Sequence, residues 1–303
     1  MGYITLSNGI EIPDLCFGTD ITYIHSNGLK RKYEELKCLV KMGLNRDKYY
    51  ASKSFYLPRI INLSMENGCK MFDTSQAYGA SEYTLGQVLK KYPRKDYVIV
   101  TKLCNSSQYN ETVADGLKKS LDELGMEYID VYLMHWPVKE HFIESWKQME
   151  KLYKEGLCRA IGVCNFNIHH LKELAQYAEI TPMINQIECH PLFTQCDLRD
   201  YCNEHNIRVM AYTSTARMDL RMKNTCLVPI SNKYNKTVAQ VILKWHQQIG
   251  NIPIVNSTNF RHMADNININ NFELTQSEVE QILAININSR LRYDPDNCDF
   301  RKL

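Results

Sequence analysis

The chain has 303 residues, with 36 basic and 34 acidic side chains and a formal net charge of +2 at pH 7. This near balance excludes the strongly basic surface that nucleic-acid-binding proteins use, and it favours small-molecule partners. The length permits one large domain or two modest ones, and we expect a single domain over residues 1–303.

No apolar run approaches the roughly 20 residues that a membrane span needs. The start, MGYITLSNGI, lacks the basic beginning and the apolar core of a signal peptide. Eleven cysteines, an odd number without paired C-x-x-C spacing, favour reduced thiols over a disulfide framework or a zinc site. We therefore expect a cytoplasmic protein with no membrane partner, no nucleic-acid partner and no metal.

The first predicted element is a β-hairpin over YITLSNGIEIP. Apolar residues alternate with polar ones on both sides of Asn8-Gly9, the dipeptide most typical of a two-residue hairpin loop with a type I′ turn. We expect this hairpin to precede the main fold and to cap it.

Short apolar runs then alternate with segments of helical period. The runs predict strands at 14–18, 69–73, 97–102, 129–134, 160–164, 184–188, 208–212 and 252–256. The helical patterns cover 81–92, 111–125, 141–156, 169–178, 196–206 and 237–248, with Gly125 and Gly156 as stop signals. This alternation predicts an α/β chain folded as a single (β/α)₈ TIM barrel. An open doubly wound sheet is the alternative, but no strand leads into G-x-G-x-x-G or G-x-x-x-x-G-K-[ST].

One interval is too long for an ordinary barrel unit. The first two predicted strands start 55 residues apart, whereas a unit averages roughly 31 residues. We therefore predict an inserted or lengthened basic loop over residues 20–55. It is either a solvated surface excursion or a basic lid over the active-site face, and the sequence leaves both open.

Polar side chains stand where most of the predicted strands end. Barrel enzymes place their catalytic groups at the carboxyl ends of strands, so we expect these side chains to converge on one rim. They are Asp73, Lys102, His135, Cys164, Asn165, Gln186, Glu188, Tyr212, Asn256 and Ser257.

Five motifs in this order resemble those of the aldo-keto reductase family. They are FDTSQAYG, in which Tyr78 follows Asp73 by five residues, VTKL with Lys102, LMHWP with His135, IGVCNF with Asn165 and NQIECHP with Gln186. The resemblance extends over almost the whole chain. It implies an NAD(P)H-dependent oxidoreductase that interconverts an aldehyde or ketone and the corresponding alcohol.

The resemblance also implies the catalytic residues Asp73, Tyr78, Lys102 and His135. Carbonyl reduction needs a hydride at carbon and a proton at oxygen, and Tyr78 is the candidate general acid/base. A free Tyr has a pKa near 10, and we expect the nearby Lys102 ammonium to lower it. Asp73 would keep Lys102 charged, and His135 would orient the carbonyl group.

For the cofactor, the resemblance assigns the nicotinamide carboxamide to the position of Cys164, to Asn165 and to Gln186, and stacks the ring on Tyr212. Cys164 stands where the family usually has Ser, and a thiol is a weak donor. The full set of expected cofactor-binding residues is Gly18, Thr19, Asp20, Cys164, Asn165, Gln186, Tyr212, Thr213, Ser214, Asn256, Ser257, Thr258, His262, Asp265 and Asn266.

The adenosine end is expected against IPIVNSTNF and the helix that follows. Family members that prefer NADPH typically have Lys at the position of Asn256 and Arg at that of His262, and both cations are missing here. Either NADH replaces or rivals NADPH, or the basic insert supplies the missing charge.

The substrate is expected to be a small carbonyl compound, and the basic insert adds the hypothesis that it is anionic. Tyr23, Tyr49, Tyr50 and Trp136 are the candidate substrate-binding residues. We expect a monomer or a small oligomer. The alternative function is a catalytically idle, nucleotide-binding barrel that regulates a partner.

Overall fold

The computed structural model describes residues 2–20, 56–257 and 259–300. From residue 21 onward the predicted basic insert lies outside the described residues, as do Tyr23, Tyr49, Tyr50 and Thr258. The predictions that rest on the insert therefore stay predictions.

A β-hairpin opens the chain, as the sequence predicts. Strand β1 (Tyr3–Thr5) pairs antiparallel with β2 (Glu11–Pro13). The Gly9 N–H donates to the Leu6 carbonyl at 2.9 Å, and Gly9 has a φ of 85° while Asn8 keeps a negative φ. A type I′ turn needs a positive φ at both central residues, so the predicted turn type is wrong. The loop is one residue longer, and Gly9 alone takes the left-handed conformation.

Eight parallel strands close into a barrel in chain order, with β10 hydrogen-bonded to β3. Their bounds agree with the predicted runs to within two residues. The strands are β3 (Cys16–Gly18), β4 (Met71–Asp73), β5 (Val98–Leu103), β6 (Ile129–Met134), β7 (Cys158–Cys164), β8 (Ile184–Glu188), β9 (Arg208–Tyr212) and β10 (Ile252–Val255). The predicted α/β TIM barrel is confirmed.

Helices connect successive barrel strands. In the described part of the chain they are α1 (Tyr56–Glu66), α2 (Ser81–Leu89), α3 (Asn105–Tyr109), α4 (Val113–Leu124), α5 (Phe142–Lys154), α6 (Ile168–Leu174), α7 (Cys196–Glu204), α8 (Leu227–Tyr234), α9 (Val238–Gln248), α10 (Phe260–Ile267) and α11 (Gln276–Leu283). Gly125 and Gly156 follow α4 and α5 with φ values of 65° and 80°, as their prediction as stop signals requires. Within the described residues, no helix has the length and apolar character to cross a membrane.

Two apolar cores follow from the alternation of side chains along each strand. On β6, Val131 and Leu133 face the barrel interior, whereas Tyr132 and Met134 pack against the surrounding helices. Leu6, next to β1, belongs to the interior core. The hairpin therefore caps the bottom of the barrel, which leaves the opposite rim for the polar strand ends.

Candidate active site

The predicted site residues continue the inward-facing rows of the barrel. Six of them lie two positions after an interior strand residue, and side chains two apart along an extended chain share a face. The pairs are Met71 and Asp73, Val100 and Lys102, Leu133 and His135, Ile184 and Gln186, Met210 and Tyr212, and Ile254 and Asn256. Convergence on one rim is thus a direct result of strand periodicity.

A buried ion pair lies at the centre of this rim. Lys102 Nζ is 2.7 Å from Asp73 Oδ1 and donates to the Thr74 carbonyl at 2.8 Å. Lys102 is fully buried and Asp73 is 4% exposed. Gln186 Nε2 donates to the same Asp73 oxygen at 2.7 Å. Desolvation is the largest single effect and lowers the pKa of Lys102, but the charges of Asp73, Tyr78 and Cys164 and the hydrogen bond to Asp73 together raise it by more, so the net shift is upward.

Tyr78 lies directly above this pair. It ends a short 3₁₀ helix (Gln76–Tyr78) whose first turn is capped by Ser75, because the Ala77 N–H donates to Ser75 Oγ at 3.2 Å. Lys102 Nζ is 4.9 Å from the centre of the Tyr78 ring. The His135 ring lies 6.1 Å from it, edge to face. The structure therefore brings together all four residues that the sequence predicts as catalytic.

The pKa of Tyr78 differs in direction from the expectation. Burial of the hydroxyl raises the pKa of Tyr78 above the ordinary value of 10. The Lys102 charge lowers the pKa, but this effect is smaller than that of burial. Tyr78 is partly exposed as a residue, but its hydroxyl is enclosed enough for desolvation to dominate. The effect of Lys102 thus has the expected direction, but burial outweighs it, and Tyr78 is a neutral phenol at pH 7.

His135 is neutral for a related reason. Burial lowers the pKa of its imidazole to about 3, and the positive charges of Lys102 and Arg292 add to this. Nδ1 lies 3.5 Å from Ser75 Oγ. When the hydroxyl donates to Nδ1, Nε2 carries the proton and can donate to a carbonyl oxygen. The sequence analysis missed Ser75, although its place two residues after Asp73 was a usable signal.

A second network joins the next strand ends. Tyr212 OH donates to Asn165 Oδ1 at 2.6 Å, and Asn165 Nδ2 donates to the His135 carbonyl at 3.0 Å. Cys164 Sγ lies 3.7 Å from Gln186 Oε1. Asn165 has a φ of 66°, which turns its amide inward immediately after β7.

The first strand end is tied to this centre. Thr19 donates to the Asp73 carbonyl from both its N–H and its hydroxyl, each at 2.9 Å. Gly18 lies so close to β10 that a Cβ there would be 2.9 Å from Ile254 Cγ2. Asn256 Nδ2 donates to the Asp20 carbonyl at 2.7 Å. Gly18, Thr19, Asp20 and Asn256 therefore form one edge of the rim.

The two residues after β9 are held in a bend. Thr213 has a φ of 52°, and Ser214 Oγ donates to the Ile254 carbonyl at 2.8 Å. His246 Nε2 lies 3.0 Å from the Ser214 carbonyl. Burial lowers the pKa of His246 to about 3, so the ring is neutral and can donate from Nε2. These bonds connect Thr213 and Ser214 with the end of β10.

The expected adenosine region lies around the start of α10. Asn259 caps this helix, because its Oδ1 accepts the N–H groups of Arg261 and His262 at 3.0 and 3.3 Å. The side chains of Arg261 and His262 are exposed, as is Asn256. Ser257, Asp265 and Asn266 flank these residues.

The donor set fits a nicotinamide nucleotide. Asn165 and Gln186 are 4% and 2% exposed and carry amide groups whose chemistry matches a carboxamide, although in this structure both amides bond protein groups. Tyr212 offers an aromatic face beside them. At the expected adenosine end, Asn256 carries no charge, and the nearby Arg261 and His262 side chains are exposed. The residues therefore suit the nicotinamide end better than they suit a 2′-phosphate.

The sequence analysis missed the contribution of the C-terminal segment. The ring of Phe300 lies 5.8 Å from that of Trp136, the described member of the predicted substrate-binding set. Trp136 is only 6% exposed. Contacts across more than 150 residues leave no local signal in a sequence, so Phe300 could not have been predicted from spacing.

One group of ligand-type atoms lies outside this centre. Atoms of His169, His170 and Asp296 lie within 4.8 Å of one another. However, His170 Nδ1 accepts the Asn167 N–H at 3.1 Å, so the neutral ring carries its proton on Nε2, which faces Asp296 at 3.5 Å. That tautomer has no free lone pair for an ion, and we assign the group as hydrogen bonds that hold the C-terminal segment.

A cleft of about 480 Å³ opens at the opposite end of the barrel. Its charged side chains are already engaged: Asp14 accepts from Gln247 Nε2 at 2.8 Å, and Lys244 pairs with Glu273 at 2.6 Å. Active sites of (β/α)₈ barrels lie at the carboxyl ends of the strands. We therefore place the chemistry at the rim around Tyr78.

Comparisons with known proteins agree with this assignment. The family model described as the aldo/keto reductase family matches residues 42–287. A 9,11-endoperoxide prostaglandin H2 reductase of Trypanosoma cruzi (strain CL Brener) is 41% identical over 241 residues, which are 78% of this chain and 85% of that protein. A glyoxal reductase of Bacillus subtilis (strain 168) is 40% identical over 242 residues, which are 79% of this chain and 87% of that protein.

Solved structures of aldo-keto reductases resemble this chain along almost its whole length. An aldo-keto reductase of Bombyx mori, crystallised in complex with NADP, superposes with a TM-score of 0.83 at 29% identity. The match covers 97% of this chain and 96% of that one.

Proposed function

We propose, on the premise that this chain belongs to the aldo/keto reductase family, that it reduces a small aldehyde or ketone with Tyr78 as the general acid. As a member of that family it is an NAD(P)-dependent oxidoreductase that interconverts carbonyl compounds and alcohols. One observation carries the proposal for Tyr78: its ring centre lies 4.9 Å from the ammonium of the buried Lys102–Asp73 pair.

The proton transfer follows from the charges around Tyr78. The bound cofactor supplies a hydride to the carbonyl carbon. Tyr78 gives its phenolic proton to the carbonyl oxygen, which completes the alcohol, and the resulting tyrosinate faces the Lys102 ammonium. Because Lys102 is held by Asp73 at 2.7 Å, it stays charged and positioned through this step. Tyr78 then regains a proton from solvent.

His135 orients the substrate in this proposal. A neutral imidazole with its proton on Nε2 donates to the carbonyl oxygen without competing for the transferred proton. Burial, which lowers its pKa to about 3, keeps it in that state at physiological pH. The His135 ring lies 6.1 Å from that of Tyr78, edge to face, so both side chains are near enough to contact one carbonyl group.

The residues that would hold the cofactor are those at the remaining strand ends. Asn165 and Gln186 would bind the carboxamide, and Tyr212 would stack on the ring. NADPH and NADH both remain candidates, because Asn256 is uncharged and His262 is an exposed imidazole. A charge from the basic insert stays a prediction, since residues 21–55 lie outside the described part.

Glyoxal is the first substrate to test, because a relative that is 40% identical is a glyoxal reductase. A preference for anionic substrates, a monomeric or small oligomeric state and a cytoplasmic location remain predictions from the sequence.

Purified protein should therefore oxidise NADPH or NADH when glyoxal or a neutral aromatic aldehyde is added, as followed by absorbance at 340 nm. Comparing the two cofactors at equal concentration also decides between them, since much faster turnover with NADPH would contradict the NADH hypothesis. Tight binding of either cofactor without turnover of any aldehyde would favour the idle, nucleotide-binding alternative.

A further inference from the structure

The last described residues of the chain, 288–300, run along the rim at the carboxyl ends of the strands. Their first anchor is Glu188, the fully buried last residue of β8. Its carboxylate accepts the backbone N–H groups of Leu291 at 2.7 Å and of Arg292 at 3.1 Å. A buried carboxylate with two backbone donors fixes the position of residues 291 and 292 firmly.

A second anchor lies farther along the segment. Phe300 packs its ring against Trp136, and its carbonyl accepts from Asn105 Nδ2 at 3.1 Å. Trp136 directly follows His135, so the segment leads from the end of β8 to the residue beside the proposed reaction centre. Arg292 belongs to the first anchor, at the end of β8.

The two arginines of this segment differ in their surroundings. Arg290 is engaged: its guanidinium lies 4.6 Å from the centre of the Phe193 ring and 3.9 Å from Glu188 Oε2. The Arg292 side chain is exposed, and among residues 2–20, 56–257 and 259–300 it has no hydrogen-bond or ion-pair partner. Its guanidinium can therefore bind an added anion.

The charge of Arg292 acts on the proposed reaction centre from two sides. After burial and Lys102, it is the next cause of the lowered pKa of His135. Burial raises the pKa of Tyr212, and Arg290 and Arg292 oppose that effect. Because the Glu188 carboxylate fixes the backbone of residue 292 at the end of β8, the exposed Arg292 side chain lies on the same rim as these two rings.

The nearby carboxylates do not neutralise this guanidinium. Asp294 accepts from Asn297 Nδ2 at 2.8 Å and from the Asp296 N–H at 3.2 Å. Asp296 accepts from Asn167 Nδ2 at 2.9 Å and faces His169 and His170. Both groups are thus occupied at the outer side of the segment.

We propose that Arg292 forms a carboxylate subsite, so that the enzyme prefers aldehydes and ketones that carry a carboxylate group. The proposal rests on the proposed function: His135 and Tyr78 bind the carbonyl end, and the Arg292 guanidinium binds the carboxylate end. A planar guanidinium suits a carboxylate because it can donate two parallel hydrogen bonds. Substrate charge is then sensed by the C-terminal segment, independently of the basic insert.

The test compares two aldehydes of the same shape. 4-Carboxybenzaldehyde carries the charge, and 4-formylbenzamide replaces the carboxylate by a neutral amide. For Arg292→Gln we expect KM for the acid to rise roughly tenfold, the loss of about one charge-assisted contact. The kcat of this variant for the acid, and its kcat and KM for the amide, should change less than twofold. Lys118→Gln removes one positive charge from the exposed face of α4 and should leave kcat and KM unchanged for both aldehydes.

Arg292→Lys should restore part of the preference, because it retains the charge without the planar donor pair. Equal changes for the two aldehydes, or no change for either, would overturn the subsite while leaving the reductase function intact. A parent protein that reduces neither aldehyde nor glyoxal would overturn the proposed function and the subsite with it.

Discussion

Two opposing effects meet at the Tyr78 hydroxyl. Sequence reasoning considered the nearby Lys102 and expected a lowered pKa, whereas in the structure burial of the hydroxyl outweighs the ammonium. The types and order of the catalytic residues could be predicted because Asp73, Lys102 and His135 stand at strand ends and Tyr78 follows Asp73 by five residues. The depth of burial could not, since it depends on the packing of many distant segments.

The raised pKa of Tyr78 predicts opposite pH profiles for the two directions. Reduction needs the phenol, which stays almost fully protonated up to about pH 9 because its pKa lies above 10, so kcat for reduction should be flat from pH 6 to 9. Oxidation of the alcohol needs the phenolate, whose fraction grows about tenfold per pH unit below the pKa, so kcat should rise accordingly. Steady-state kinetics in both directions provide the measurement. A decline of kcat for reduction already below pH 9 would contradict the raised pKa.

The partners of the site residues were less predictable than their positions. Gln186 was expected to face a cofactor carboxamide, and its Nε2 donates to Asp73 at 2.7 Å. Glu188 stood in the same row of polar strand ends, yet its carboxylate holds the backbone of residues 291 and 292. Both side chains bond residues more than 100 positions away, and a sequence pattern carries no signal for such pairs.

At the scale of elements, strands were easier to predict than helices. The named helical patterns did not include α1 and α8, and each carries a proline, Pro58 or Pro229, as its third residue. Proline interrupts a helical pattern in the sequence, but it is tolerated in the first turn because the N–H groups there have no intrahelical acceptor.

The turn after β9 is strained in a way that the sequence does not reveal. Ala216, Arg217 and Met218 have φ values of 48°, 52° and 55°, all in the left-handed region. None is glycine, so each costs on the order of 1 kcal/mol relative to a residue without Cβ. The strained turn follows Thr213 and Ser214, which are expected to contact the cofactor.

Met218→Gly should therefore stabilise the protein. Met218 is 48% exposed, so little apolar burial is lost, and relief of the left-handed conformation should raise the free energy of unfolding by about 0.5–1 kcal/mol. Urea denaturation measures this. Met218→Ala keeps the Cβ and should give no gain, and Leu220→Gly, at an exposed residue with a negative φ, serves as the second control. A gain with Met218→Ala equal to that with Met218→Gly would contradict the strain argument.

The whole molecule joins parts of the sequence that lie far apart. Strand β10 closes the barrel onto β3 across more than 230 residues, and the terminal segment returns over the rim to Trp136. The barrel was predictable because its pattern repeats along the chain, whereas the path of the terminal segment depends on single long-range contacts. The predicted catalytic residues therefore follow from a repeating pattern, whereas the contact of the terminal segment with Trp136 does not.

The central claim, that Tyr78 donates the proton during carbonyl reduction, is tested most directly by single-turnover kinetics of Tyr78→Phe. The substitution removes only the hydroxyl group, so cofactor affinity, measured by quenching of protein fluorescence, should stay within about twofold of the parent. The rate of cofactor oxidation by glyoxal should fall by about 100-fold or more, the usual contribution of a general acid. A variant that binds cofactor and reduces glyoxal as fast as the parent would contradict the account.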